Sequence, residues 1–344
     1  MDPITQQVVL AAAGAGGAIS PVIAATHDSS PYISVYDWDS GFGDKYANPS
    51  TLPPGAAVKV AFSPDGSDIA VAHGNSPYLT VYPWSSSGFG TKYSDPSTIL
   101  GAGDSGRGIA FSPDGNNIAL SHSSSPNISV WAWSSGFGSK YSDPSTLPGS
   151  NALDIAFSPD GNDIAVVHVS SPRVSVYPWS SGFGSKYSNP STLPASVGRG
   201  VAFSPDGNDI AVAHSNSPYV TAYPWSSGFG SKYSNPSTLP ANECEAVAFS
   251  PDGNDIAVAH DSSPYVTAYP WSSGFGSKYS NPSTTPTGTG RHVAFSADGN
   301  DIAVGHSNSP YISVYPWSSG FGSKYSNPST LPPATSRGVT FSPA

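Results

Sequence analysis

Short apolar runs separated by turn-forming residues follow one another along most of the chain. In the unit that begins at residue 200, GVAFS is followed by the turn PDG and by a second apolar run, DIAVAH. SNSP then turns the chain into YVTAYPW, in which apolar and polar residues alternate. Short runs of this kind, bounded by Gly, Pro, Asn and Ser, predict β-strands. The more polar GFGSKYS that follows predicts a fourth, outer strand.

This unit recurs at a nearly constant period. Each copy has a histidine at the end of its second predicted strand and a tryptophan 11 residues later. The histidines are 46 residues apart, with one interval of 49, and they are His27, His73, His122, His168, His214, His260 and His306. The tryptophans are Trp38, Trp84, Trp133, Trp179, Trp225, Trp271 and Trp317. Seven units of this length predict an all-β protein, a seven-bladed β-propeller of four-stranded blades.

The two ends of the repeat predict how the ring closes. The first histidine unit starts with its second strand, VIAATH, whereas RGVTFS near the C-terminus is a first strand without a second. We expect the C-terminal strand to complete the blade begun by residues 18–50, so that strands from the two termini pair and close the ring. The propeller is then expected at residues 18–344. Residues 1–17, outside the repeat, are expected to form an N-terminal attachment arm.

Composition disfavours several classes of function. The net charge is −10, which disfavours binding to nucleic acid or to an anionic membrane. The single cysteine, Cys244, excludes an internal disulfide and a multi-cysteine metal site. Residues 3–26 are uncharged, but Ala, Gly and Pro21 make a membrane span a poor interpretation. No basic segment precedes the first apolar run, so a secretory signal is not expected.

The repeated polar residues favour structural roles over catalysis. The seven histidines belong to seven different blades and cannot surround one metal ion, so we expect each ring to bond to a nearby turn. The PDGND carboxylates lack the spacing of a calcium loop and are typical of hairpin turns. No nucleophile elbow is found, and no blade departs from the others with a buried acid, base or nucleophile. The sequence therefore predicts no enzyme, no catalytic residue, no metal and no cofactor.

Sequence variation between the units is concentrated at one end of the predicted ring. The loop into each first strand and the turn after each histidine vary, whereas the other connections are almost invariant. All five arginines and both glutamates of the chain fall at the variable end. One interpretation is a partner-binding face, and the other is a set of salt bridges that tie neighbouring blades together. The predicted partner-binding residues are Arg107, Arg173, Arg199, Arg291, Arg337, Glu245 and His292.

Two resemblances extend this picture. VAFSPDG, followed by a short strand and a strand that ends in Trp, resembles WD-repeat propellers over residues 18–344. The Gly-His pair does not recur from unit to unit and PWS replaces Trp-Asp in most units, so the hydrogen-bond network of His, Asp and Trp in that family is not expected here. The longer phrase SPYVTAYPWSSGFGSKYSNPSTLPA resembles tandem repeats of predicted proteins of marine tailed bacteriophages.

The second resemblance implies a non-enzymatic structural or adhesion protein of a phage virion, in the tail, a fibre or a capsid decoration. Residues 1–17 would attach it to other virion proteins, and its binding face would meet a host surface glycan or receptor. The expected location is the virion, with the cytoplasm as the alternative. Two other functions stay open: a lectin-like propeller whose clefts offer Trp, Tyr and Ser to a carbohydrate, and a cytoplasmic scaffold for protein interactions.

Overall fold

The computed structural model describes residues 21–98 and 104–343, which form a seven-bladed β-propeller of antiparallel sheets. The predicted arm at residues 1–17 lies outside the described residues. In the described ranges, no helix is long and apolar enough to cross a membrane.

In each blade the strands are ordered from the inside of the ring to its outside, the first strand being innermost. The first strands are β4 (Ala57–Phe62), β8 (Gly106–Phe111), β12 (Ala152–Phe157), β15 (Gly198–Phe203), β18 (Cys244–Phe249), β21 (Gly290–Phe295) and β24 (Ser336–Phe341). The second strands are β5 (Asp68–His73), β9 (Asn117–His122), β13 (Asp163–His168), β16 (Asp209–His214), β19 (Asp255–His260), β22 (Asp301–His306) and β1 (Val22–His27). The third strands are β6 (Leu79–Ser85), β10 (Ile128–Trp133), β14 (Val174–Pro178), β17 (Val220–Pro224), β20 (Val266–Pro270), β23 (Ile312–Pro316) and β2 (Ile33–Trp38). The outer strands are β3 (Phe42–Lys45), β7 (Gly88–Phe89) and β11 (Phe137–Lys140).

The ring closes through its two ends, as predicted. Blade 1 has the strand order β24-β1-β2-β3, and blades 2 to 7 follow in chain order from β4. β24 pairs antiparallel with β1, with Ala25 opposite Val339 and Ile23 opposite Phe341. The Val22 backbone N–H also donates to Ser342 Oγ at 3.1 Å. Because β24 from the C-terminus pairs with β1, β1 is hydrogen-bonded on both sides and is not left as an open edge.

Proline decides how far the outer strand forms. Blades 1 and 3 have Asp37 and Ala132 directly before the repeated tryptophan, and their outer strands are four residues long. In blades 4 to 7 that residue is proline, as at Pro224, and the outer strand is reduced to a single bridge such as Trp225 with Phe229. Proline has no N–H to donate to a ladder, so pairing stops there.

The core lies between adjacent blades. Between blades 5 and 6, for example, Val220 of β17 packs with Val258 of β19 and with Trp271. The Trp271 ring meets Phe275 of its own blade and Tyr233 of the preceding blade edge-on, with ring centroids 5.0 Å and 5.4 Å apart. Seven such clusters fill the spaces around the ring. The apolar face of each sheet is thus buried by its neighbour, which explains why one blade alone would not be stable.

A repeated aspartate joins five of the seven pairs of neighbouring blades by hydrogen bonds. Asp209 Oδ2 accepts from Trp271 Nε1 of the next blade at 2.9 Å, and its Oδ1 accepts from Tyr233 at 2.7 Å. The same arrangement recurs with Asp68, Asp163, Asp255 and Asp301. Blade 1 has Val22 at this position, and the Nε1 of Trp84 has no partner among the described residues. An Asp–Trp–Tyr network therefore stands in place of the WD-repeat one.

We expect Asp209→Ala to lower the free energy of unfolding by about 3 kcal/mol, because it leaves the buried Trp271 Nε1 and the partly buried Tyr233 hydroxyl without their acceptor. Asn117→Ala is the matched control at the equivalent position of blade 3, where the Asn117 Oδ1 has no hydrogen-bond partner in the described part of the chain. Asn117→Ala should lower the free energy of unfolding clearly less than Asp209→Ala does. Denaturant melts of both variants measure the difference, and equal losses would show that the Trp and Tyr bonds carry no stability.

The seven repeated histidines are held by the third strands of their own blades, whereas bonds to nearby turns were expected. All are fully buried, and each Nε2 lies within 2.8–3.2 Å of a Ser or Thr hydroxyl on the third strand of the same blade. The bond shared by all seven is therefore to a strand hydroxyl, although His27 Nδ1 also bonds to the turn carbonyl of Ser29 at 2.6 Å. Across the described residues, no three His, Cys, Asp or Glu side chains are grouped so that they could hold a metal ion.

Candidate functional site

A β-bulge at the start of each first strand takes one side chain out of the ladder. In β15, Gly198 pairs with His214 and Gly200 pairs with Ala213, so Arg199 has no opposite residue. The same shift occurs in all the other blades. Bulges often re-aim side chains beside functional sites. The first strands contact one another around the ring, so these residues surround one mouth of the central channel. This mouth ring comprises Val58, Arg107, Leu153, Arg199, Glu245, Arg291 and Arg337.

Glu245 lies between two arginines of the neighbouring blades. Its Oε1 is 3.0 Å from Arg291 Nη1, and its Oε2 is 3.5 Å from Arg199 Nη1. Arg199 also pairs through Nη2 with Glu243. The Glu245 side chain is only 14% exposed, whereas each arginine is 33% exposed. A largely buried carboxylate is thus held by two cations that solvent can still reach.

Burial controls the protonation of this carboxylate. It raises the pKa of Glu245 above its usual value of 4.5, and the two arginines oppose that rise. Burial also raises the pKa of the neighbouring Asp261, whose Oδ1 is buried without a hydrogen-bond partner among the described residues. Blades 5 to 7 therefore place two arginines against three carboxyl groups, with Glu245 at the centre.

A second set of polar groups lies one residue further along the first strands. Lys59 Nζ of blade 2 is 3.2 Å from Asp154 Oδ1 of blade 4, so this ion pair spans the intervening blade 3. The ion pair lies beside Gly108 of blade 3. A Cβ at this position would be 2.8 Å from the Asp154 Cα, so a larger residue would clash. His292 Nδ1 is 2.9 Å from the Val339 carbonyl oxygen. Burial and the nearby Lys59 hold the pKa of His292 well below 6.5, so its ring is neutral.

The remaining predicted residues are less closely linked. Arg337 is exposed and pairs with Asp28 of its own blade. Arg173 lies in the hairpin turn of blade 4 and donates to the Val169 carbonyl. Arg107 is half-buried, and no ion pair joins it to any carboxylate in residues 21–98 or 104–343. Salt bridges between blades thus account for Arg199 and Arg291, but not for Arg107.

The sequence singled out Arg199, Glu245 and Arg291, and the structure brings them together. It did not single out Lys59 and Asp154 as site residues, although both are charged exceptions at a position that is glycine in three blades. Only the arrangement of the blades in a ring brings the Lys59 and Asp154 side chains together across blade 3. The lectin-like alternative loses its main support, because the repeated tryptophans are only 4–6% exposed and offer no open face to a sugar.

No protein-family model matches the chain, and the search of curated proteins gave no match either. Several solved structures share its fold. The periplasmic gluconolactonase of Pseudomonas aeruginosa has a TM-score of 0.68 and 16% identity, over 94% of this chain and 99% of that one. A putative 6-phosphogluconolactonase from Bacteroides uniformis has a TM-score of 0.66 and 16% identity, over 93% and 99%. A functionally unknown protein from Desulfotomaculum acetoxidans has a TM-score of 0.68 and 14% identity, over 94% and 99%.

At these identities the likeness shows the fold, a seven-bladed propeller of the kind found in these lactonases. It contradicts the expectation of a non-enzymatic virion protein, because the named neighbours are enzymes, and it gives no support to a phage resemblance. The sequence argument was wrong at an identifiable point. It found no blade that departs from the others with a buried acid, whereas in blade 6 the folded ring buries Glu245 between two arginines.

Proposed function

We propose that the protein is a hydrolase that opens the lactone of a small hydroxy acid at the mouth of the central channel. The observation that carries the proposal is Glu245, a largely buried carboxylate between Arg199 and Arg291. The names of the structural neighbours, which are gluconolactonases, supply the reaction class.

Opening a lactone requires a base and a cation in one place. Water adds to the carbonyl carbon and gives up a proton, and the carbonyl oxygen becomes negative. The ring C–O bond then breaks, the alkoxide oxygen takes up that proton, and the carboxylic acid formed loses its own proton to solvent, so that a carboxylate is released. Glu245 would accept the proton of the water and return it to the leaving oxygen. Burial favours this role, because it moves the pKa of Glu245 towards neutral pH.

The arginines would supply the positive charge. Arg199 and Arg291 are each one-third exposed, so their guanidinium groups are accessible from the channel mouth. Guanidinium groups bind carboxylates through paired hydrogen bonds, so the same arginines suit the product.

The test is hydrolysis of D-glucono-1,5-lactone and of its 6-phosphate, followed by acid release at constant pH. We expect the wild type to exceed the uncatalysed rate and Glu245→Gln to lower kcat about 100-fold or more, with a smaller effect on KM. Activity should also fall as the pH drops through the raised pKa of Glu245, because only the carboxylate accepts a proton. Asp298→Asn, the same chemical change in a turn at the opposite end of blade 7, is the control. A wild type without activity, or an unaffected Glu245→Gln, would refute the proposal.

A further inference from the structure

The charges of the mouth ring are distributed unevenly. In blades 5 to 7, Arg199 and Arg291 are paired with glutamates. Three blades away from Glu245, Arg107 has no ion pair with any carboxylate of the described residues, and its buried Nε has no hydrogen-bond partner among them. A half-buried guanidinium without an anion is costly, because burial removes water without replacing its hydrogen bonds.

The charged groups around Arg107 do not satisfy it. The charge of Asp104 acts on Arg107, but Asp104 Oδ1 accepts from Ser123 Oγ at 2.8 Å and from the Ser124 N–H at 3.0 Å. Its Oδ2 is 3.0 Å from His122 Nδ1. Arg337 repels Arg107, and burial together with this repulsion lowers the pKa of Arg107. Arg337 is itself paired with Asp28. On this side of the mouth ring, Arg107 is therefore the arginine that lacks an anionic partner among the described residues.

Apolar side chains flank Arg107 on both sides. Val58 and Leu153 occupy the equivalent bulge positions of blades 2 and 4, and both are partly exposed. The Lys59–Asp154 ion pair draws the first strands of these two blades together across Gly108, directly after Arg107 in the chain. The guanidinium group of Arg107 therefore lies between two apolar positions of the mouth ring. The ion pair next to it is already complete and does not supply it with an anion.

We propose that this side of the mouth is a binding site for the carboxylate of a short aliphatic acid. The fork of Arg107 would hold the two carboxylate oxygens, and Val58 and Leu153 would pack against the first methylene groups of the chain. The apolar flanks favour this ligand over inorganic phosphate, whose four oxygens would have only one cation to meet. The site goes beyond the proposed hydrolysis and does not depend on it, since it lies away from Glu245 and involves no reaction.

Isothermal titration calorimetry with hexanoate as the probe tests the site. We expect hexanoate to bind at least tenfold more tightly than acetate, because more methylene groups are buried, and more tightly than hexan-1-ol, which lacks the charge. Arg107→Gln should weaken hexanoate at least tenfold. Leu153→Ser should weaken hexanoate while changing acetate little. Lys186→Gln removes one positive charge at the outside of blade 4, where Lys186 bonds to Asn189, and should have no effect.

Val58→Asp provides a second route if Arg107→Gln does not fold. The new carboxylate would lie in the blade next to Arg107 and should abolish hexanoate binding, with an unchanged circular dichroism spectrum. Equal affinity for hexanoate and acetate, equal affinity for hexan-1-ol, or normal hexanoate binding by a folded Arg107→Gln protein would each overturn the assignment. Lactone hydrolysis is measured separately, so hexanoate binding without hydrolysis supports the site and counts only against the proposed function.

Discussion

Lowering the pH from 7 to 4 is expected to unfold the propeller, with most of the loss between pH 6.5 and pH 4. Burial lowers the pKa of six repeated histidines from 6.5 to about 4. In this window the unfolded chain binds protons that the folded protein rejects, so stability is complete above pH 6.5 and falls as the pH falls towards 4. The six are His27, His73, His168, His214, His260 and His306.

The expected effect is large because the site is repeated. One pKa unit corresponds to about 1.4 kcal/mol, so each histidine opposes protonation of the folded state by about 3 kcal/mol. Six of them together exceed the roughly 5–15 kcal/mol that stabilises a typical domain. The turn aspartates, such as Asp206, have a pKa below the usual 3.8 and therefore add their own loss only at lower pH. The histidines should thus dominate the first part of the acid transition.

Calorimetric melts at half-unit steps of pH measure this effect. The melting temperature should be nearly constant above pH 7 and fall steeply below pH 6, with an uptake of several protons on unfolding. His214→Gln keeps a polar side chain within reach of Thr221 and removes one of the six groups, so it should reduce the proton uptake by about one. A melting temperature that stays constant down to pH 4.5 would show that the histidines are protonated in the folded state.

The sequence predicts much of the fold because the period carries the information. The spacing of His and Trp, the turn residues and the unmatched strands at the two ends were enough for seven blades and for the closure of blade 1. The outer strands were predicted less well. A fourth strand is expected from GFGSKYS in every unit, yet in four units residue 178, 224, 270 or 316 is proline, and its missing N–H reduces the outer strand to one bridge.

The site was less accessible to sequence reasoning. Variation between units placed the five arginines at one end of the ring, but it did not show which of them find partners. Glu245 meets Arg199 and Arg291 because equivalent positions of adjacent blades converge at a bulge, and a bulge leaves no signal in the apolar pattern. Arg107 and Arg199 both neighbour Leu153 in the mouth ring, and they differ in the other neighbour, which is Val58 for Arg107 and Glu245 for Arg199. Such differences become visible only once the blades are arranged in a ring.

Deleting residues 336–344 is expected to abolish cooperative unfolding of the whole propeller. The deletion removes β24, so β1 becomes an open edge and the first strands of blades 2 and 7 lose the strand between them. It also removes the buried Val339 and Phe341 from the cluster around Trp38, whose ring lies 5.5 Å from that of Phe341. Loss of a large core side chain alone costs about 2–5 kcal/mol, and two are lost together with a full strand of hydrogen bonds.

Thermal and urea melts of the truncated protein, with light scattering to detect aggregation, measure the outcome. A synthetic peptide of residues 334–344, added in excess, should restore the cooperative transition, because it can pair with β1 as β24 does. The same peptide with Val339→Asp is the control, and it should fail, since a carboxylate would enter the buried face between blades 7 and 1. A truncated protein that melts at the wild-type temperature would show that the ring does not depend on pairing of its two ends.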